Sequence, residues 1–130
     1  MRRACWSGST LAWAVAIGVT AAGAIALTAR AGVTREIRIA SRNMTFYVEG
    51  RADPNPTLRL RRGEDVRLVF RNEDPGIGHA FAVPGWGVTT RLMKGTSETS
   101  ITFRAPERPT RTAYQCVPHA AMMNGTIVVE

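Results

Sequence analysis

From residue 36 onward the chain alternates between apolar and polar positions. Ile37 and Ile39 sit between polar neighbours, and residues 44–48 (Met-Thr-Phe-Tyr-Val) form a β-favouring run that ends at Gly50 and the Asp53-Pro54-Asn55-Pro56 breaker. Leu58 and Leu60 alternate with Arg59 and Arg61; after a turn at 62–65, Val66, Leu68 and Phe70 alternate with Arg67, Val69 and Arg71. A period of two places one set of side chains on each face of a strand, so these stretches read as strands with one face buried. A loop at 72–76 leads to an apolar run at 79–83, a Pro-Gly break at 84–87 and a short edge element at 88–92. Ile101 and Phe103 share a face within 100–104, a proline-bounded loop follows at 106–109, and strands at 112–116 and 126–129 complete the pattern. About eight short strands separated by regular turns predict an all-β protein folded as an antiparallel β-sandwich.

The first thirty residues follow a different pattern. Arg2 and Arg3 precede an uncharged run at 11–29 rich in Ala and Gly, which ends in Ala29-Arg30-Ala31. A positive flank, an apolar centre and a small-x-small site together read as a secretory signal peptide. The run also approaches the ~20 residues that span a bilayer, so an uncleaved membrane anchor is the alternative. Residues 1–31 are therefore set apart from a domain at 32–130. That domain is expected to be exported, periplasmic or otherwise extracytoplasmic, and to meet a membrane only where the segment is retained.

Charge narrows the range of partners. The chain carries 17 basic and 10 acidic residues, for a net charge of +7. Removing Arg2, Arg3 and Arg30 leaves 14 basic against 10 acidic residues, or +4, spread along the domain. No basic cluster is interleaved with aromatics, which speaks against nucleic acid. An acidic redox partner and an anionic surface suit this charge equally well. No carboxylate pair and no Ser-His arrangement points to hydrolysis.

Cysteine usage changes the picture further. Cys5 falls in the N-terminal segment, so Cys116 is the one cysteine of an exported domain, in a setting where thiols normally pair. A buried small hydrophobe is the ordinary explanation for such a residue. Its neighbours offer another: Cys116-Val117-Pro118-His119 is followed by Met122, Met123, Asn124, Gly125 and a terminal strand. A thiolate at a strand end, an imidazole in the next turn and a thioether at the base of the following strand can converge on one point. The second histidine, His79, heads an apolar strand. Alone it would be a satisfied core residue; with the others it completes two imidazoles, a thiolate and a weak thioether, the donor set that favours copper in electron transfer.

These residues carry a resemblance to the cupredoxins, the blue copper family that includes plastocyanin, azurin and amicyanin. Cys116-Val117-Pro118-His119 has the Cys-x-Pro-His form of the pseudoazurin and amicyanin copper loop. The stretch from His119 to Thr126 is similar to azurin's His, three residues, Met-x-Gly-Thr, and Gly78-His79 resembles azurin's Gly-His. The similarity runs over residues 36–130 and is most specific at the C-terminal end. It implies a Greek-key sandwich with one copper ion held by His79, Cys116, His119 and an axial methionine. Met123 keeps the Met-x-Gly-Thr register, Met122 fits the shorter amicyanin interval, and the Gly78 carbonyl is a further weak ligand. The chain departs from the family in having Ala80 where many members have Asn after the first His, and Val117 where Ser or Thr is common. The brace those two side chains would form is absent.

The stretch from His79 through Val88, with the final Ile127-Val128-Val129-Glu130, also resembles the binuclear copper domain of cytochrome oxidase subunit II. That centre needs two cysteines in the ligand loop; only Cys116 is present, so the mononuclear reading is preferred. The resemblance implies a one-electron carrier rather than an enzyme. A cytochrome or oxidase-type redox partner would dock transiently at an apolar patch formed by Pro118, Ala120 and Ala121 around His119. Trp86 and Pro84 either extend that patch or cap the core. Copper carriage or storage, and a copper enzyme with an open axial position, are the competing readings.

Overall fold

A computed structural model describes residues 34–130; the signal or anchor segment expected at 1–31 lies outside the described residues. Among the described residues no helix is long and apolar enough to cross a membrane.

Among the described residues eleven strands and two single-turn 3₁₀ helices follow in order: β1 (Arg35–Ser41), β2 (Phe46–Val48), β3 (Leu58–Leu60), β4 (Asp65–Asn72), β5 (Gly78–His79), β6 (Ala82–Val83), η1 (Pro84–Trp86), β7 (Val88–Thr89), β8 (Met93–Lys94), β9 (Ser97–Arg104), β10 (Thr110–Gln115), η2 (Val117–His119) and β11 (Asn124–Val129). The alternation forecasts the longer strands closely. The count exceeds eight because β5, β6, β7 and β8 have only two residues each, too short for a period to register.

One sheet has the order β2-β1-β4-β9, a second β3-β11-β10-β6-β7, and β5 pairs with β8 in a small third sheet. The expectation of an antiparallel sandwich needs correction: β1 runs parallel to β4 and β3 parallel to β11. Each parallel pair joins strands that are not hairpin neighbours, so a chain crossing between sheets decides the direction, which strand patterning does not encode.

The alternating apolar faces meet between the sheets. Ile37, Ile39, Leu58, Leu60, Val66, Leu68, Phe70, Ile127 and Val129 are buried together. Ile101 and Phe103 are only partly buried, because β9 is an edge strand. An aromatic cluster fills the centre: Phe46 lies edge-on to Phe70 and Phe81 at 6.0 and 5.9 Å, and Phe81 stacks on Tyr114 at 5.3 Å. Such offset and edge contacts add to the stabilisation from burial alone. The Tyr114 hydroxyl donates to the Pro56 carbonyl at 2.7 Å, so the buried phenol is satisfied. Gly125 lies directly across from Tyr114 in the β10–β11 ladder. A Cβ there would run into the Tyr114 ring, a packing reason for the glycine in the Met-x-Gly-Thr stretch.

Candidate metal centre

The predicted run at 79–83 is split between two sheets, and the split positions His79. Phe81 lies between β5 and β6, tied by its N–H to the Thr90 hydroxyl at 3.0 Å and by its carbonyl to the Thr90 N–H at 2.8 Å. Below it, Ala82 pairs with Gln115 of β10; above it, His79 pairs with Met93 of β8. His79 is thereby set beside Cys116, the first residue beyond β10.

Residues 116–123 form a loop closed at its base by the Cys116 N–H on the Met123 carbonyl at 2.9 Å. Within it the His119 N–H donates to the Cys116 carbonyl at 3.1 Å, and the Met122 and Met123 N–H groups both donate to the His119 carbonyl at 3.0 and 2.9 Å. Pro118 at the head of η2 suits this tight turn, having a preset φ and no N–H to satisfy. The Asn124 amide closes on the Ala120 carbonyl at 2.8 Å. The loop's shape thus rests on its own backbone.

The Nδ1 atoms of His79 and His119 each stand 3.6 Å from the Cys116 sulfur, and the three donor atoms lie within 4.8 Å of one another. The two rings meet edge to face with centroids 5.0 Å apart. Cys116 is a free thiol, fully buried. Burial pushes that thiol above its ordinary range, opposed by the Ala80 and His119 N–H groups pointing at the sulfur. A metal bound here would take the place of the thiol proton, and those two N–H groups would support the thiolate. The donor set fits copper: one soft thiolate and two imidazoles, with a buried thioether close in the chain.

The methionines separate clearly. Met123 is fully buried in the core cluster that includes Cys116, whereas Met122 is 57% exposed. Gly78 stands in β5 opposite Lys94. Trp86, a candidate for the patch, instead packs on Phe103 at 5.9 Å and shares a hollow with Pro106 and Pro109. It sits beside the start of β10, away from His119, and so caps the core. The exposed large apolar side chains among the described residues are Ile77, Leu92, Val117 and Met122; Val117 and Met122 belong to the loop that carries His119, where Pro118 and Ala121 are exposed as well. Ala80 and Val117, the two departures from the family's usual residues, line one open depression with Leu92 and Pro118.

One residue escaped the sequence reading. Asp74, in the loop before β5, is buried and its Oδ2 lies 2.9 Å from His79 Nε2. Burial alone would raise its carboxyl, but the Asn43 and Met44 N–H groups and the His79 ring outweigh that and hold it below its ordinary value. His79 in turn is lowered by burial despite the carboxylate beside it, so the ring is neutral near pH 7. Five residues before a histidine, an Asp among turn residues looks like any other loop carboxylate, and no sequence signal marks it.

The comparisons with known proteins agree with this geometry. The family profile of copper binding proteins, plastocyanin/azurin family, matches residues 33–130. The chain belongs to that family, the cupredoxins, and the His79, Cys116 and His119 cluster fits a single type 1 copper site. Among solved structures it is similar to reduced rusticyanin, with 25% identity and a TM-score of 0.62 over 76% of this chain and 81% of that one. Rusticyanin from Thiobacillus ferrooxidans gives 27% identity and a TM-score of 0.56 over 76% and 79%. Auracyanin A, a blue copper protein from Chloroflexus aurantiacus, shares the fold at 18% identity and a TM-score of 0.61 over 75% and 99%. A comparison with curated protein sequences finds no match.

Proposed function

We propose that this protein is an exported one-electron carrier, with one copper ion held by His79, Cys116 and His119 and with Met123 as the axial ligand. The observation that supports it most is the standing of three donor atoms within 4.8 Å of one another, two of them on fully buried residues and the third on a half-buried histidine at the surface. A copper ion bound there supplies one-electron redox chemistry, and the chain's own residues supply the rest. The loop is held by backbone hydrogen bonds and His79 by two sheets, so the donors keep their places and a change of charge moves little protein. Burial of Met123 favours it over Met122 for the axial position.

His119 is the ligand nearest the surface. Val117, Pro118, Ala121 and Met122 of its own loop are exposed and give apolar area in the chain beside it; exposed Leu92 shares a depression with Val117 and Pro118 and lies between exposed Arg91 and Lys94 in the chain. This suits transient docking of a redox protein with an acidic rim, a contact at the small end of interfaces, below about 1,200 Å².

Copper loading of the purified chain tests the reading. The expected result is one copper per chain, an intense visible charge-transfer band in the oxidised form, and reversible voltammetry. Cys116→Ser should abolish the band and leave a β-rich circular dichroism spectrum, because the apolar faces carry the fold at ~1.5–3 kcal/mol per fully buried side chain. Two coppers per chain, or preferred binding of zinc with no colour after copper loading, would overturn it. A coloured but electrochemically irreversible protein would point to carriage or storage.

A further inference from the structure

We propose that Asp74 is the positioning residue of this centre: its carboxylate holds His79 in the Nε2–H tautomer, turns Nδ1 toward the Cys116 sulfur, and clamps that histidine to the turn between β1 and β2. The proposal rests on the reading of His79 as a ligand.

The two Asp74 oxygens face three donors. Oδ1 accepts from the Asn43 N–H at 2.6 Å, and Oδ2 accepts from the Met44 N–H at 3.2 Å and stands 2.9 Å from His79 Nε2. Asn43 and Met44 have φ of 51° and 56°, a left-handed conformation that is uncommon for a residue such as Met. Their successive N–H groups form a small anion-binding concavity, and the Asp74 carboxylate fills it. Asp74 is itself pinned: its N–H donates to Asn72 Oδ1 at 3.0 Å, while the Asn72 amide donates to the Ile77 and Met93 carbonyls at 2.8 and 3.0 Å.

An ionised carboxylate can only accept, so His79 Nε2 must carry the proton and Nδ1 must be the free donor. Nδ1 is also the atom that faces Cys116. The carboxylate thereby selects the tautomer that a metal at the Cys116 sulfur requires, and a charge-assisted bond of this kind strengthens the imidazole as a ligand. Ala80, next to His79, can make no side-chain bond, and the side-chain bond on the far nitrogen of His79 comes from Asp74, five residues earlier. A buried negative charge near the metal also favours its more oxidised state. Asn cannot substitute, because its single carbonyl oxygen leaves the amide NH₂ against at least one of the three N–H donors.

The test begins without metal. ¹⁵N NMR of the apo protein should find His79 as the Nε2–H tautomer in the wild type and lose that preference in Asp74→Asn. A wild-type apo protein with the proton on Nδ1 would overturn the proposal whether or not the variant folds. With copper, Asp74→Asn should bind copper(II) about 10–100-fold more weakly, lose less copper(I) affinity, and shift the reduction potential upward. A folded Asp74→Asn with wild-type copper(II) affinity and potential would overturn the proposal too. If the wild type takes up no coloured copper, the functional reading fails, while the tautomer in the apo protein still decides the role of Asp74.

Discussion

His79 and His119 face the same sulfur at the same 3.6 Å, through the same ring nitrogen, yet they are held in opposite ways. His79 is fully buried, lies thirty-seven residues from Cys116 in the chain, and has a carboxylate on its far nitrogen. His119 is half-buried, lies three residues from Cys116, and is placed by the backbone of its own turn. One ligand belongs to the tertiary structure and the other to a local loop. This division suits the proposed carrier role: the buried side would keep the geometry, and the surface side would give an electron a short way out.

The sharpest way to break the comparison is to remove each ring in turn. His119→Gly opens a gap toward solvent, so added imidazole should enter and restore the visible band of the copper-loaded protein. His79→Gly leaves a sealed gap and deprives Asp74 of one of its three donors, at a cost of about 1.5–3 kcal/mol for a lost hydrogen bond to a charged group. Its band should stay absent at any imidazole concentration, and its apo form should melt lower. Equal rescue of both variants in titrations followed by absorbance would show that burial does not separate the two ligands.

The methionines sharpen the same contrast at smaller cost. Met123→Leu conserves volume in the core and should cost less than about 1.5 kcal/mol while moving the reduction potential and spectrum. Met122→Leu, on the exposed side, should change stability by no more than about 0.5 kcal/mol and leave both properties near wild type. Voltammetry and denaturant melts of the two variants check this, and the opposite pattern would make Met122 the axial ligand.

A further effect is expected in the pH dependence of the apo protein. The folded-state value of His79 lies below its ordinary 6.5, so as pH falls through 6.5 the unfolded chain takes up a proton that the folded chain refuses. Apo stability should therefore fall below about pH 6.5, by no more than about 1.4 kcal/mol per pH unit for this one proton. The Asp74 contribution has the same sense: it is present above 3.8 and lost as pH drops through the lower folded-state value. His79→Gln should flatten the first part of the slope in thermal melts followed from about pH 7 to about 5. A wild-type apo protein equally stable at both ends would mean that the ring is not held neutral by burial.

The half of the site that is local in the chain was readable from the residues. Cys116, His119, Met122 and Met123 lie within one short stretch ahead of a terminal strand, where a thiolate, an imidazole and a thioether can converge. The strands were readable too, because the period of two in Val66, Leu68 and Phe70 or in Leu58 and Leu60 follows from pleat geometry. The sequence favoured Met123 for its Met-x-Gly-Thr register and kept Met122 as the alternative; in the structure Met123 lies in the core and Met122 is 57% exposed. The sequence could not tell that Trp86 caps the core on Phe103 instead of extending the surface around His119.

Local spacing and alternation therefore determined most of the strands and the loop that carries Cys116 and His119, because each depends on residues a few positions apart. The tertiary structure decided everything that depends on pairing across the chain. It set β1 parallel to β4 and β3 parallel to β11, split the run after Gly78 between two sheets, and brought His79 to Cys116. It also placed Asp74 between two left-handed residues and a ring nitrogen. A carboxylate in a loop is ordinarily solvated, and only the packing of β1, β4 and β5 around this one turns it from a surface charge into a buried acceptor for three N–H groups.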